Sequence, residues 1–513
     1  MKSKTKGNIF IATAAMAAML SLASCDDFLT ESNPNKIPTE SYFQSETDVA
    51  KALNGAYVAL RSNYCMGEGN TMFNEERSDN TGRLDNQSAA GEPFQFTNFA
   101  ILPSNTYLKS YWTALYKTVN DCNYTLMGAE RIEMDSDVKN GYMAEAKFVR
   151  ALVYFEIVRK WGDAPLVTDY LPAFGDVKVA TARQPKADIY RQIVADLTDV
   201  VNSSLPNRQP EGNRGHADKA SATALLGKVY LTMAATLADG KSAEYLDNAK
   251  KYLMQCYEMR TFGNLTDIPY SDVFDVSKKS TCPEIIFQIV YKQGDKDYHS
   301  SVAANNQSVG ETINSQVASK GIGTFVNPDL VKEYEDGDVR KDWSVKYNPN
   351  QAAKSWFITK FRDTSDAAGT LGYGGNDCII LRYADVVLML AEVNARMGND
   401  AEAVKWLDMV RQRAGLDGYA AASGRESYRK FCPTLMRAIL HERRSELAFE
   451  NQRWYDLLRF FSTEELKNYI HSKNSADYGI SDINNFGDKD IYFPIPYDEW
   501  KLDNEKMYQN PGY

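Results

Sequence analysis

The residue with the most clearly defined chemistry in this sequence is Cys25. Three lysines in the first six residues precede an apolar run over 9–23, which is too short for a membrane span of about 20 residues. The run ends in Leu22-Ala23-Ser24-Cys25, the pattern of a bacterial lipobox, in which the cysteine sulfur takes a diacylglycerol. The alternative is an ordinary signal peptide with a cysteine nearby by chance. We therefore predict a lipoprotein signal peptide over 1–24 and a lipid anchor on Cys25 that tethers a mature chain, 25–513, to a membrane surface.

A second set of residues that could do chemistry is a run of alternating acids and bases towards the C-terminus. Its charged members fall at spacings of three and four residues: Glu442, Arg443, Glu446, Glu450, Arg453 and Asp456. Two such carboxylates could serve as the acid and base of a glycoside hydrolase. Interleaved arginines, however, neutralise carboxylates and keep their pKa values low, which is wrong for a general acid. We therefore expect ion pairs along and between helices, and no enzyme.

Metal and redox chemistry have weak support in the sequence. The acidic residues Asp336, Asp338 and Asp342 could offer hard oxygen ligands to Ca²⁺, but they lack the EF-hand pattern. The four histidines are widely spaced, which disfavours a histidine-rich metal site. We expect no cofactor, with calcium as the alternative.

Six cysteines remain when Cys25 is acylated, and none of them forms a CxxC pair. An exported compartment permits disulfides. Cys122 and Cys256 nevertheless fall among apolar residues in helical patterns, which favours buried free thiols. Whether any of the six pair stays open at this point.

The overall composition narrows the class of protein. The chain has 513 residues, 43% of them hydrophobic and 25% charged, as in a globular protein. Its formal net charge of −10 gives no basic footprint, so we expect no nucleic-acid partner.

The elements that must position these residues are predicted to be helices. Apolar residues recur at three- and four-residue spacings in a scaffold that covers mainly 46–62, 107–259 and 380–461. Two insertions, about 63–107 and 260–375, lose this periodicity and hold only short strand candidates near 284–291 and 356–361. Loops of such length point to function or disorder. Individual helices are predicted over 46–62, 107–131, 142–161, 186–202, 218–238, 242–259, 382–397, 400–413, 434–450 and 454–461.

Two of the predicted helix pairs have the pattern of a tetratricopeptide repeat. The stretch 226–230 reads LGKVY, which matches the L-G-x-x-Y core of a first repeat helix, and Ala249 and Leu253 follow in its partner. The second instance is Ala391, Ala395 and Gly398, followed by Ala403 and Leu407. We therefore predict a mainly α fold of tetratricopeptide-like helix pairs with a large, irregular binding subdomain.

Several stretches from the lipobox to the last residue together resemble the SusD/RagB family of outer-membrane nutrient-binding lipoproteins from Bacteroidetes. They are CDDFL at 25–29, AEAKFVRA at 144–151 with WGDAPLV at 161–167, LRYADVVL at 381–388, ERRSELAFE at 442–450 with RWYDLLR at 453–459, and PIP at 494–496 with NPGY at 510–513. The resemblance covers essentially the whole mature chain.

The resemblance implies a binding protein on the outer surface of the outer membrane. Family members capture nutrients, most often oligosaccharides, and deliver them to a SusC-like, TonB-dependent transporter. Capture of peptides, as in RagB-like relatives, is the alternative within the family, and a glycoside hydrolase is the alternative from another class. A purely structural lipoprotein is disfavoured because a scaffold has little need of long loops rich in aromatic residues.

Sugar recognition needs aromatic rings that stack on C–H faces and polar side chains that bond hydroxyl groups. In the family, binding residues come from the loop that corresponds to 63–107, and Asp79 most nearly occupies a family binding position. This loop contains no Trp, which departs from the starch-binding members and leaves the particular sugar open. Our candidates in the first insertion are Asp79, Asn80, Arg83, Phe96, Asn98 and Tyr107. Packing against the scaffold is the alternative for the phenylalanine.

The second insertion supplies three more candidate rings. Tyr298 lies beside His299 in a loop, which favours exposure, and Trp356 lies in a strand-like run where it could face either way. Trp343 follows Asp338-Val339-Arg340, and a place in the core is the alternative for it. We therefore include Tyr298, Trp343 and Trp356 in the predicted ligand-binding set.

Overall fold

The structure is a computed structural model that describes residues 42–82, 91–172, 182–314, 325–350, 354–473 and 485–513. The chain divides into two units, 1–44 and 45–513. Only residues 42–44 of the first unit are described, so the fold given below is that of the second. The predicted signal peptide, the lipid anchor Cys25 and the candidate Arg83 lie outside the described residues.

Helices dominate the fold. We number those of eight residues or more in chain order: α1 Glu46–Leu60, α2 Thr106–Arg131, α3 Ser136–Trp161, α4 Lys186–Val201, α5 Lys219–Thr236, α6 Ser242–Glu258, α7 Tyr383–Arg396, α8 Asp400–Arg413, α9 Leu435–Glu446, α10 Arg453–Phe460 and α11 Thr463–His471. Shorter α-helices are Phe94–Thr97, Tyr270–Phe274, Val302–Asn305, Pro328–Glu333, Val339–Ser344, Asp366–Leu371, Tyr419–Ala422, Glu426–Phe431 and Tyr497–Trp500.

The helices from α1 to α8 stack in chain order, each packed against the next, and α9 packs on α7 and α8. At Gly227 in α5, a Cβ atom would lie 2.6 Å from Leu253 Cγ in α6, so only glycine allows this close approach. Gly227, the glycine of the LGKVY stretch, is therefore the residue at which α5 and α6 approach closely. The prediction of a mainly α fold built from tetratricopeptide-like pairs is confirmed.

Local signals explain several helix boundaries. Asn105 caps α2 by accepting a hydrogen bond from the N–H of Leu108 at 3.0 Å. Asp135 caps α3, so this helix begins at Ser136, six residues before the apolar periodicity predicted. It ends where predicted, because Gly162 has a φ of +70° that does not continue a helix.

The strands are short: β1 Thr81–Gly82, β2 Ala164–Pro165, β3 Arg183–Gln184, β4 Ile285–Ile289, β5 Phe325–Val326, β6 Val345–Asn348, β7 Ser355–Ile358 and β8 Cys378–Arg382. They form an antiparallel sheet in the order β1-β5-β7-β6 and the antiparallel pairs β2-β3 and β4-β8. The sheet therefore joins the first insertion to the second, because β1 belongs to one and the other three strands to the other.

The C-terminal end of α9 differs from the prediction. The pattern predicts a helix to residue 450, but α9 ends at Glu446, and Phe449 and Asn451 have φ angles of +68° and +61°. The Glu75 carboxylate accepts hydrogen bonds from the N–H groups of both residues, at 2.9 and 3.0 Å. Glu75, a buried acid of the first insertion, thus accepts hydrogen bonds from two backbone N–H groups that follow the end of the helix.

The six cysteines of the described part are all unpaired, and Cys65, Cys122, Cys256 and Cys432 are buried. Burial raises the pKa of Cys65 and Cys256 to about 12, as expected for inert thiols packed in a core. Within the described residues, none of the helices is both long and apolar enough to cross a membrane.

Candidate functional site

The first predicted ligand residue, Asp79, lies in the interior. Its side chain is fully buried and accepts hydrogen bonds from Arg453 Nε and Nη2 at 2.6 and 2.9 Å and from the Tyr469 hydroxyl at 2.7 Å. Burial alone favours the neutral acid, but Arg444 and Arg453 outweigh it and hold the pKa of Asp79 well below its usual value. The structure therefore corrects the assignment of Asp79: its carboxylate is engaged by the protein itself.

Two further candidates from the first insertion are also internal. Asn80 is buried between Glu75, to which its amide donates at 2.8 Å, and Arg444, which donates to it at 2.9 Å. Phe96 is fully buried, with its ring 5.2 Å from that of Phe73. The expected ligand contacts of Asn80 and Phe96 are corrected to core packing, the alternative that the sequence left open for the phenylalanine.

The remaining described candidates of this insertion lie closer to the surface. Asn98 is half-buried, and its carbonyl accepts a hydrogen bond from the Asn485 amide at 3.1 Å. Tyr107 is half-buried, and its ring centre lies 6.2 Å from that of the exposed Tyr64. Of the first set, these two side chains are the ones that solvent reaches in the described residues.

The three rings of the second insertion differ in environment. Trp343 donates from Nε1 to the Lys360 carbonyl at 3.1 Å, and the Arg362 guanidinium covers its ring at 4.1 Å. These two contacts fix the ring within the protein. For Trp343, a structural role therefore agrees better with the environment of the ring than a role in ligand binding. Trp356 is half-buried, and its ring centre lies 5.5 Å from that of the exposed Tyr347 on β6. Tyr298 is 47% exposed.

The charged run on α9 forms a buried ion-pair network, which we call the α9 network. Arg382 binds Glu446 and Glu284 through Nη1 at 2.6 and 2.8 Å and Glu450 through Nε at 2.7 Å. Arg340 binds Glu442 at 2.7 Å and Glu446 at 3.0 Å. The expected ion pairs are confirmed, and they run between elements that are far apart in the chain.

The α9 network leaves its carboxylates unsuited to acid-base catalysis. Burial opposes ionisation of Glu446, but Arg413, Arg382 and Arg340 outweigh it and hold the pKa of this acid below its usual value. The same balance, with Arg382 and Lys360 as the cations, lowers the pKa of Glu450. A glycosidase acid needs a raised pKa and access to substrate, and these groups have neither.

The acidic run considered for calcium also takes part in an internal ion pair. Asp338 is buried and binds Arg340 through both carboxylate oxygens, at 2.9 and 2.7 Å. Among the described residues, no group of three or more His, Cys, Asp or Glu side chains is arranged to hold a metal ion.

The two insertions meet at a junction close to the C-terminal end of α1. The Arg61 guanidinium lies over the Tyr298 ring, 4.4 Å from its centre. The Glu68 carboxylate accepts hydrogen bonds from the Ser300 hydroxyl at 2.7 Å and from the Ser301 N–H at 3.0 Å. The second insertion is therefore contacted at this point by Arg61 at the end of α1 and by Glu68 of the first insertion.

Two cavities flank this junction. The first, which we call the arginine cavity, has a volume of about 310 Å³ and is lined by the end of α1, the segment 214–216, β4 and Tyr298. The second, which we call the glutamate cavity, has a volume of about 390 Å³ and is lined by the segment 63–81, residues 302–306, Ile358 and Phe449. Both volumes are in the range of small-molecule pockets.

The polar groups of the arginine cavity are positioned from behind by buried acids. Arg214 forms an ion pair with Asp377, which also binds Lys279 at 2.9 Å. His216 Nδ1 lies 2.7 Å from Glu145 Oε2, and the same oxygen accepts a hydrogen bond from the Tyr57 hydroxyl at 2.7 Å. The hydrogen bond to Glu145 raises the pKa of His216, which favours its charged form.

Sequence reasoning found one ring of this cavity, Tyr298, and missed Arg61, Arg214 and His216. Arg61 is the first residue after α1, and Arg214 and His216 lie in the segment before α5, so no shared motif connects them. The one available signal was that helical periodicity stops next to Arg61, where the first insertion begins.

Two family models match the chain. One, described as the SusD family, matches residues 343–513, and one described as starch-binding and associating with the outer membrane matches residues 27–231. Together they leave unmatched only the N-terminus and residues 232–342.

Individual proteins resemble the chain over nearly its whole length. SusD-like protein P2 of Formosa agariphila is 27% identical over 96% of this chain and 98% of its own. A solved laminarin-binding SusD-like protein superposes with a TM-score of 0.74 at 24% identity, over 92% of this chain and 100% of that one. Surface glycan-binding protein A from Bacteroides thetaiotaomicron, solved in complex with laminarihexaose, gives a TM-score of 0.74 at 18% identity, over 91% and 100%. At these identities the solved structures establish a shared fold.

Proposed function

The chain belongs to the SusD/RagB family, and from this premise we propose that it captures an oligosaccharide at the junction of its two insertions. The observation that carries the proposal is the position of Tyr298, whose exposed ring lies at a polar cavity of about 310 Å³. An exposed aromatic ring beside polar side chains is the arrangement that binds the C–H face and the hydroxyl groups of a sugar.

The surroundings of Tyr298 support sugar binding in further ways. One face of its ring is held by Arg61, so the ring is fixed in position before a ligand arrives. Asn54 and His216 line the same cavity and offer hydrogen-bonding groups. The exposed Tyr347, with Trp356 across the strand pair, offers a second ring surface on the same insertion.

The names of the relatives support the ligand class. Two solved proteins with this fold are described by their binding to laminarin or by a complex with laminarihexaose. We carry over the class, an oligosaccharide, and leave the sugar open, because an identity below a quarter establishes a shared fold and not a shared set of cavity side chains.

The lipid anchor and the transporter are further parts of the proposal. Acylation of Cys25 would hold the body at the outer membrane, with which one matched family model associates its members. The partner would be a SusC-like, TonB-dependent transporter that receives the captured ligand. Replacement of Cys25 by Ala should release the protein from the membrane fraction, and affinity purification of the lipidated protein should recover such a transporter.

Ligand capture is tested by screening the mature chain, 25–513, against a glycan array and a peptide library. We expect saturable binding of a defined oligosaccharide, no response to peptides and no release of reducing ends. Saturation by peptides alone would favour the RagB-like alternative, and reducing-end release abolished by one carboxylate substitution would overturn the assignment as a binding protein.

The position of the site is tested with Tyr298→Ala. We expect a loss of about 1–2 kcal/mol of binding free energy, as for an aromatic residue that contacts ligand. The matched control is Tyr497→Ala, because Tyr497 is exposed to a similar extent, 48%, and lines neither cavity. Equal affinities of the two variants for the oligosaccharide would remove Tyr298 from the site.

A further inference from the structure

The charges of the arginine cavity indicate what kind of sugar it takes. Arg61 stacks on Tyr298, and no acidic side chain lies within ion-pair distance of its guanidinium in the described ranges. A guanidinium offers five donors in a planar fork, and a ring contact uses none of them. The donors of Arg61 are therefore available to a ligand.

The second guanidinium of the cavity is only partly neutralised. Arg214 pairs with Asp377 through Nη1, but Asp377 also receives Lys279 at 2.9 Å and the N–H of Tyr291 at 2.8 Å. Two cations thus share one buried carboxylate. The Arg214 side chain remains 21% exposed, so part of its guanidinium faces the cavity or solvent with its charge incompletely balanced.

The imidazole of His216 adds a third group on the same wall. Its Nδ1 is engaged by Glu145, which leaves Nε2 for another partner. Glu145 itself is buried and accepts a second hydrogen bond from Tyr57, so its charge lies behind the wall. The other polar side chains that line the cavity, Asn54 and Gln288, are neutral.

The cavity therefore presents positive charge in a protein whose formal net charge is −10. The acids that contact its wall, Asp377 and Glu145, are buried and already bound by protein donors. Attraction of an anion by Arg61 is strengthened where neighbouring acids are engaged and water is partly excluded. The positive character is local, and the net charge of the chain gave no sign of it.

We propose that the arginine cavity is a subsite for a sugar unit that carries an oxyanion, either the carboxylate of a uronic acid or a sulfate ester. The planar fork of Arg61 binds two oxygens of such a group, and the adjacent Tyr298 ring contacts the sugar. A volume of about 310 Å³ is near the lower end for small-molecule pockets, which suits a short stretch of the glycan. This inference rests on the proposed capture of an oligosaccharide.

The test compares charged and neutral forms of the same oligosaccharide by calorimetry with the mature chain. One pair of probes is tetragalacturonate and its carboxyl-reduced form, and the other is a carrageenan tetrasaccharide and its desulfated form. We expect one charged probe to bind at least about tenfold more tightly than its neutral partner. The preference should shrink when NaCl is raised from about 20 to about 300 mM, because salt screens the attraction.

Variants assign the preference to the cavity. Arg61→Gln should remove most of the preference for the charged probe, and Arg61→Lys should retain part of it because the charge is kept without the planar fork. The matched control is Arg191→Gln, since Arg191 lies on α4 with a side chain that is 76% exposed. Melting temperatures of all variants are measured alongside to verify that the fold is intact.

The outcomes separate this inference from the proposed function. Equal binding of charged and neutral probes, or binding of neutral glycans alone, overturns the oxyanion subsite and leaves oligosaccharide capture standing. The same loss in Arg61→Gln and Arg191→Gln also overturns the subsite, because the preference would then be a general charge effect. Failure of every glycan to bind overturns both.

Discussion

Two regions of this molecule use the same side chains in opposite ways. In the α9 network, Arg382 is almost fully buried and touches three carboxylates, each within 2.8 Å. In the arginine cavity, Arg61 is half-buried and stacks on a tyrosine, with no acid in ion-pair reach in the described part of the chain. One guanidinium is bound by three carboxylates of the fold, and the other has a ring contact and no ion pair in the described residues.

The difference follows from solvation. A charge moved into the interior loses several kcal/mol of hydration, so it persists only with partners that replace water. A charge at the edge of a cavity keeps part of its hydration and can remain unpaired until an anion arrives. An unpaired arginine in this protein is therefore distinguished from a structural one by its missing ion-pair partners, and residue type alone does not separate the two.

The largest effect should come from breaking the α9 network. Arg382→Met keeps most of the side-chain volume but leaves Glu284, Glu446 and Glu450 with fewer partners. We expect a loss of about 3–5 kcal/mol in the free energy of unfolding, measured by urea titration. Arg191→Met, at an exposed position of α4, should change it by less than about 0.5 kcal/mol. A loss below about 1 kcal/mol for Arg382→Met would contradict a structural role for the network.

Asp79→Ala should have the next largest effect, because it removes one shared acid from Arg444 and Arg453. We expect a destabilisation of about 3 kcal/mol by urea titration, with glycan affinity preserved in the folded fraction. The control is Asp488→Ala, since the Asp488 side chain is 75% exposed. An unchanged melting temperature together with weakened glycan binding would restore Asp79 to the ligand site.

A pH-dependent contribution of His441 should be smaller. Burial alone would lower the pKa of His441, but its hydrogen bond to Glu333 and its ion pair with Glu335 outweigh burial and raise the pKa to about 9. Because the folded pKa exceeds the unfolded value of about 6.5, its contribution is complete below pH 6.5 and is lost as pH rises through 9. The difference in unfolding free energy between the wild type and His441→Gln should therefore fall by an order of 3 kcal/mol between pH 6 and 10.

If the difference in unfolding free energy between the two proteins stays constant across this pH range, Glu333 and Glu335 do not hold the proton on His441. Using the difference between the two proteins removes the contribution of other groups that titrate in the same range. Lys360 is one of them, because burial lowers its pKa to about 8 against the opposing effect of Glu450.

The smallest effect on stability should come from Arg61→Gln, the counterpart of Arg382→Met. Arg61 forms no ion pair with a buried acid, so its removal leaves no buried charge without a partner. We therefore expect the unfolding free energy to change by less than about 0.5 kcal/mol. The same urea titration measures both variants. A loss comparable to that of Arg382→Met would show that Arg61 is a structural residue and would end the contrast between the two regions.

Much of the fold could be predicted because helices carry local signals. Apolar periodicity lies within each helix. The signals that set helix ends, such as the cap at Asn105 and the stop at Gly162, lie next to those ends. One error lies where a distant residue acts: α9 ends at Glu446, and the backbone N–H groups of Phe449 and Asn451 beyond it donate to Glu75. Other errors arose although a local signal was present. The helix α11 was not predicted, although Ser462 and Glu465 form a capping box at its start.

The candidate site was harder to predict for the same reason. Asp79 and Arg453 are 374 positions apart in the chain, and only their contact shows that the acid is already paired. The first insertion was expected to be a ligand loop, yet its residues from Phe73 to Thr81 are mostly buried against α9 and α10. Tyr298 was the candidate whose local context, a polar loop beside a histidine, agreed with its exposure.

The sequence by itself determined the helical scaffold, the family and the expectation that charged residues on α9 form ion pairs. These follow from spacing along the chain, which fixes the face of a helix on which each side chain lies. Only the tertiary structure decided which acids and arginines are neutralised and which remain available. That outcome depends on desolvation, and desolvation depends on contacts between residues hundreds of positions apart.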